Sequence, residues 1–149
     1  MTNQLQTGED RQAPLERPTN PRATLSSLWI FVQLSTLVQE MHEIVEPGWI
    51  DEVRGGTLNG TDITDELLVG AGLVMQIPLL MIVLNHVLPA HINKWANTVI
   101  ALITAIALLT MTSDPDDVLF ALTKGTALLA IVVIAQASHR LRTLVRNES

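Results

Sequence analysis

The sequence predicts an all-α fold, a polytopic membrane protein with four transmembrane helices in an up-down bundle. Three observations carry that prediction. Hydrophobic residues make up 48% of the 149 and charged residues 16%, with a mean hydropathy of +0.33, which is apolar for a soluble domain. Four stretches of about twenty mainly apolar residues, the length that crosses a bilayer, are separated by turn signals. Lys and Arg collect at alternate connections, as the positive-inside rule asks of four spans.

Residues 1–24 carry Pro14, Pro18 and Pro21 among polar side chains. That composition predicts a disordered cytoplasmic tail without a signal peptide, so the first span would be its own insertion signal. Span one covers about 25–45. It begins as nearly clean hydrocarbon and then places Gln39, Glu40, His42 and Glu43 before Pro47-Gly48. Trp29, Gln33, Thr36, Glu40 and Glu43 follow at spacings of four, three, four and three, which puts them on one helix face. A polar stripe in lipid must turn toward other helices or a wet cavity, because a charge at mid-bilayer costs about 3 kcal/mol or more.

The connection after span one holds Asp51, Glu52, Asp62 and Asp65, with Gly55-Gly56 and Asn59-Gly60 as turn signals. It reads as a wet acidic loop that accommodates a short hairpin around Gly55 to Gly60. Thr64 followed by Asp65 and Glu66 is a capped helix start. Span two, about 67–88, contains Gly70 and Gly72, suited to close helix approach, and Pro78, which frees a carbonyl near Val74. Gln76 lies beside that break and is placed either to repair it or to face Glu40. Pro89 to Ile92 form a tight connection, and Asn93 is expected to cap span three, about 94–112, with Ala101 and Ala105 as a small-residue face. Ser113-Asp114-Pro115-Asp116-Asp117 reads as an N-cap, a proline at the first helical position and acids in the first turn. Span four follows over about 115–138 and carries Ala121, Gly125 and a single charge, Lys124. A basic tail, 140–149, closes the chain.

Arg11, Arg17, Arg22, Lys94, Arg140, Arg142 and Arg146 fall in the tails and the 89–94 turn, whereas the other connections hold only Arg54. Four spans with both termini cytoplasmic satisfy this distribution, in a cell membrane. Glu40 then lies about 9 Å and Lys124 about 12 Å below the outer surface. Gln39, Glu43 and Gln76 fall near the same layer. These five residues, Gln39, Glu40, Glu43, Gln76 and Lys124, are the candidate intramembrane polar site. One reading is a structural ion pair with interhelical hydrogen bonds; the other is a protonatable Glu40 serving transport or a ligand.

Other chemistry finds little support. The chain has no cysteine. His42 and Glu46 supply too few ligands for a metal, and His86 and His91 read as solvated interface residues. Asn59-Gly60-Thr61 matches a glycosylation acceptor, a pattern common by chance. No nucleophile elbow, phosphate-binding glycine loop or triad spacing occurs, and no basic-aromatic cluster points to nucleic acid. The expectation is therefore no catalytic residue, no metal, no cofactor and no enzyme activity. The lipid bilayer is the expected partner, joined by a second copy or another membrane protein on the Ala and Gly faces.

LSSLWIFVQL at 25–34, EPGW at 46–49, DITDELL at 62–68, QIPLLMIVLNHVL at 76–88 and NKWANTVIA at 93–101 together resemble a family of uncharacterised prokaryotic four-helix membrane proteins, a domain of unknown function. The resemblance covers about residues 25–135. It implies an acid at the position of Glu40 and a Glu-Ile-Pro where this chain has Gln76-Ile77-Pro78, so Gln76 departs from a two-carboxylate pattern. Asn-Arg-Trp-Ala-Asn matches Asn93 to Asn97. The resemblance implies architecture, not activity. The leading expectation is a structural or accessory membrane subunit. A small proton- or ion-coupled transporter using Glu40 ranks second, and a redox or lipid enzyme third.

Overall fold

A computed structural model describes residues 20–58, 60–110 and 115–147. The elements run α1 (Pro21–Ile44), α2 (Trp49–Arg54), β1 (Thr57–Leu58), β2 (Thr61–Asp62), α3 (Asp65–Val87), α4 (Ala90–Thr110) and α5 (Pro115–Asn147). Helices α3, α4 and α5 each contain a stretch long and apolar enough to cross a membrane: Asp65–Val87, Ala90–Leu109 and Asp117–Ser138. Helix α1 has comparable length, but its second half is too polar for it to qualify on hydropathy.

Helix α1 starts earlier than the sequence suggested. Asn20 caps it by accepting the Arg22 N–H at 3.1 Å, Pro21 occupies the first position, and the Thr24 hydroxyl donates to the Asn20 carbonyl. Proline with its φ already helical suits that site. Pro21 to Thr24 therefore form the opening turn of α1 rather than the end of a tail; the rest of the expected tail, 1–19, lies outside the described residues. Gly48, at φ 95°, turns the chain out of α1 in a conformation that favours glycine.

The acidic connection is more ordered than a plain loop. Asp51 and Glu52 in the first turn of α2 and Arg54 in its last are arranged favourably along the helix dipole. The hairpin pairs Thr57 with Asp62 and Leu58 with Thr61, and the Glu52 carboxylate accepts the Gly60 N–H at 2.9 Å. Asn59 of the glycosylation pattern is outside the described residues. Thr64 caps α3 as expected, its hydroxyl accepting from the Leu67 N–H. Helix α3 then continues through Pro78.

Helix α4 begins at Ala90, so Asn93 is not its cap. Its N–H already bonds the Pro89 carbonyl at 2.9 Å, which frees its side chain to turn inward. The Ser113-Asp114 cap lies outside the described residues, and the α5 backbone continues to Asn147, past the expected end at 138.

Helix α1 packs against α3 and α5, and α4 packs against α5. The core consists of Leu25, Trp29, Val32, Met81, Ala101, Leu128, Ile131 and Ala135 with smaller neighbours. These residues come from the first half of α1, the second half of α3, the middle of α4 and the middle of α5 onward. At the opposite end α3 is exposed from Asp65 through Ile77. Nothing lies within 4 Å of where a Cβ would stand on Gly70, Gly72 or Gly125, so these glycines make no close helix contact within the chain. Leu73, Leu109 and Leu122 are likewise outward-facing. Such a surface costs little where the surroundings are as apolar as leucine, because lipid provides no hydrophobic drive to bring helices together.

Candidate functional site

Two polar constellations lie between the helices, one at each end. The first is built on α1, α5 and the residues expected to form the site. Gln39 is its centre. The Gln39 side-chain carbonyl accepts from the Lys124 ammonium at 2.5 Å, and its Nε2 donates to Asp117 at 2.6 Å and to Glu43 at 3.4 Å. Lys124 is 6% exposed yet interacts electrostatically with Glu40, Asp117 and Glu43. A neutral amide can serve an ammonium and carboxylates at once, accepting with its oxygen and donating with its nitrogen.

The five expected residues are thus only partly brought together. Gln39, Glu43 and Lys124 converge. Glu40 stays exposed and contributes to Lys124 through its charge; it lines a groove of about 350 Å³ between α1 and α3, with Gln33, Thr36, Leu37, Met75 and Leu79. Gln76 does not join the cluster. It is exposed on the stretch of α3 that leaves the core, and Gln33 of α1 reaches the proline break instead, donating to the Met75 carbonyl at 3.1 Å. By sequence Asp117 is a first-turn acid of α5, and its position seven residues before Lys124 also puts it on the Lys124 face.

The second constellation escaped the sequence reading. The Trp29 indole N–H donates to Asn97 Oδ1 at 2.8 Å, and Asn97 Nδ2 donates to Asn85 Oδ1 at 2.7 Å and to the Asn93 carbonyl at 2.8 Å. Trp29, Asn85 and Asn97 are all 0% exposed. One side chain therefore ties α1, α3 and α4 together. A turn away, Ser26 donates to the Ile82 carbonyl at 2.8 Å and lies 3.2 Å from His86 Nε2. Arg22 donates to the His86 and Leu88 carbonyls at 2.8 and 3.0 Å. Those are carbonyls that the C-terminus of α3 leaves without helical partners. His86 is thus engaged by α1 rather than merely solvated. Among the described residues, Asn85 Nδ2 is buried without a hydrogen-bond partner. The available signal was spacing: Arg22, Ser26 and Trp29 share one face of α1, and Asn93 and Asn97 one face of α4.

Among the described residues no group of three His, Asp or Glu side chains is placed to hold a metal. What the geometry defines is a mainly helical protein with three helices apolar enough to cross a membrane, its interior polar groups directed at one another. The chain belongs to the family of unknown function DUF6326, whose model matches residues 15–140. No curated protein and no solved structure matches it.

Proposed function

We propose that the protein is a structural or accessory subunit of the cell membrane, a bundle of four up-down spans with both termini cytoplasmic, and not an enzyme. The observation that carries this reading is the use made of the buried polar side chains. Trp29, Asn93 and Asn97 at one end, and Gln39 and Lys124 at the other, are spent on hydrogen bonds between and within helices. Such bonds hold helices in register where hydrophobic burial cannot. The fourth span is supported by the contacts of α1. Arg22, Ser26 and Gln33 meet α3 at Leu88, Ile82 and Met75 in turn, and Gln39 meets α5 at Lys124 and Asp117. At about 1.5 Å per residue, α1 reaches alongside its neighbours for about 36 Å. The exposed faces at Gly70 and Gly72 suit a second copy or another membrane protein.

The native absence of cysteine allows a direct test of topology. Single cysteines at Asn3, Asp51 and Ser149 are labelled from each side of the membrane. Four spans put Asn3 and Ser149 on one side and Asp51 on the other; a surface-lying α1 puts Asn3 with Asp51.

A second reading, a small proton- or ion-coupled transporter, is favoured by one observation: Glu40 is exposed on a groove and has a buried cation nearby. Purified protein in sealed vesicles separates the two readings. The structural reading expects proton flux equal to that of empty vesicles under a pH gradient, and no change in Glu40→Gln. Flux above that background that disappears in Glu40→Gln establishes the transporter.

A further inference from the structure

A half-open cleft lies at the Arg22 end, where the opening turns of α1 and α4 meet α5, with Arg22, Ala90, Asn93, Lys94 and Ser138 on its walls. It holds about 30 Å³, room for one or two water-sized groups. A ligand must therefore enter by one compact end.

The cations and helix starts around the cleft call for a negative charge on that end. Arg22 spends two of its nitrogens on backbone carbonyls, which neutralise nothing, and makes no ion pair among the described residues. Lys94 places its ammonium 5.5 Å from the centre of the Trp95 ring and likewise has no carboxylate partner among the described residues. Asn93, on the cleft wall, is 6% exposed; its Oδ1 accepts from Asn97 Nδ2, while its own Nδ2 donates to no described group. Two helices, of 24 and 21 residues, start here and direct the positive ends of their dipoles at the same space. Ser138 lines the α5 wall with its hydroxyl already donating to the Ile134 carbonyl at 2.7 Å, so it adds no charge there.

We propose that this cleft binds a phosphoryl group, brought either by the headgroup of an anionic phospholipid or by free phosphate. A compact tetrahedral anion suits it, with its oxygens beside Arg22, Asn93 and Lys94 on the cleft wall. The cleft also lies at the end of α1, α3 and α4 where Lys and Arg collect, the end expected at the anionic leaflet.

Full-length protein in neutral detergent is titrated with phosphatidylglycerol, phosphatidylcholine and inorganic phosphate, and binding is read by native mass spectrometry and by the shift in melting temperature. Phosphatidylglycerol is expected to bind more tightly than phosphatidylcholine. Lys94→Gln removes a cation and its charge-assisted hydrogen bond, and Ser138→Asp adds a repelling anion to the wall; each weakens binding about tenfold. Neither residue belongs to the core. Arg54→Gln, an equal loss of charge in the connection between α1 and α3, leaves the affinity unchanged. Binding of inorganic phosphate alone, with the same response to the variants, identifies a free anion as the source. Absence of binding by every probe overturns the proposal. So does binding that ignores Lys94→Gln and Ser138→Asp, or that weakens equally in Arg54→Gln.

Discussion

At the Arg22 end, Trp29, Asn85, Asn93 and Asn97 lie inside close-packed helices and bond one another through neutral groups. At the Asp117 end, Lys124, Glu43 and Asp117 gather around one amide, Gln39, with Glu40 exposed nearby, where α3 has left the core. Neutral donors and acceptors can be buried completely because paired amides leave no net charge to solvate. Carboxylates cannot be buried so cheaply, and here they remain half-buried or exposed, close to water. The contrast distinguishes the two ends: the neutral end joins α1, α3 and α4 through Asn97, and the charged end joins α1 to α5 through Gln39.

The severest test of that contrast is Asn97→Ala. It removes the hub and leaves the Trp29 N–H and the Asn85 Oδ1 without the partner they share. Unfolding in mixed detergent micelles is expected to show a loss of about 2–4 kcal/mol. Trp29→Phe keeps most of the bulk and deletes only the donor, so a smaller loss of about 1–2 kcal/mol is expected, and pairing it with Asn97→Ala should give strongly non-additive effects. A loss below 0.5 kcal/mol in both would mean that packing alone holds this end.

The charged end should respond less. Lys124→Met is expected to cost about 1 kcal/mol, with coupling to Gln39→Leu of similar size in a double-mutant cycle, because the Lys124 hydrogen bond runs to Gln39. Coupling to Glu40→Gln should be weaker, a matter of charge at a distance. If Glu40 couples more strongly than Gln39, the cluster is an ion pair in solution and the contrast between the ends fails. The smallest effect belongs to Gln76→Leu, expected within about 0.5 kcal/mol of zero since Gln76 is exposed and outside the cluster.

Much of the helical layout was legible in order. Apolar runs located α3, α4 and α5, and the Thr64 cap placed a boundary to the residue. Asn20-Pro21 carried an equally good start signal for α1, masked by the prolines before it. Asn93 looked like a cap because capping residues are recognised by type. Only the bond from its N–H to the Pro89 carbonyl shows that the helix had already begun.

Composition and periodicity by themselves determined the helical class, the family words and the polar face of α1, since these depend only on residue type and a fixed 3.6-residue repeat. Tertiary structure decided which polar groups meet. Gln39 rather than Glu40 holds Lys124, Gln33 rather than Gln76 attends the proline break, and Asn97 joins residues up to 68 positions apart. A one-residue step along a helix rotates a side chain by about 100°, enough to move Glu40 out of the contact that Gln39 makes. That rotation between neighbouring helices is set by packing, which no local pattern encodes.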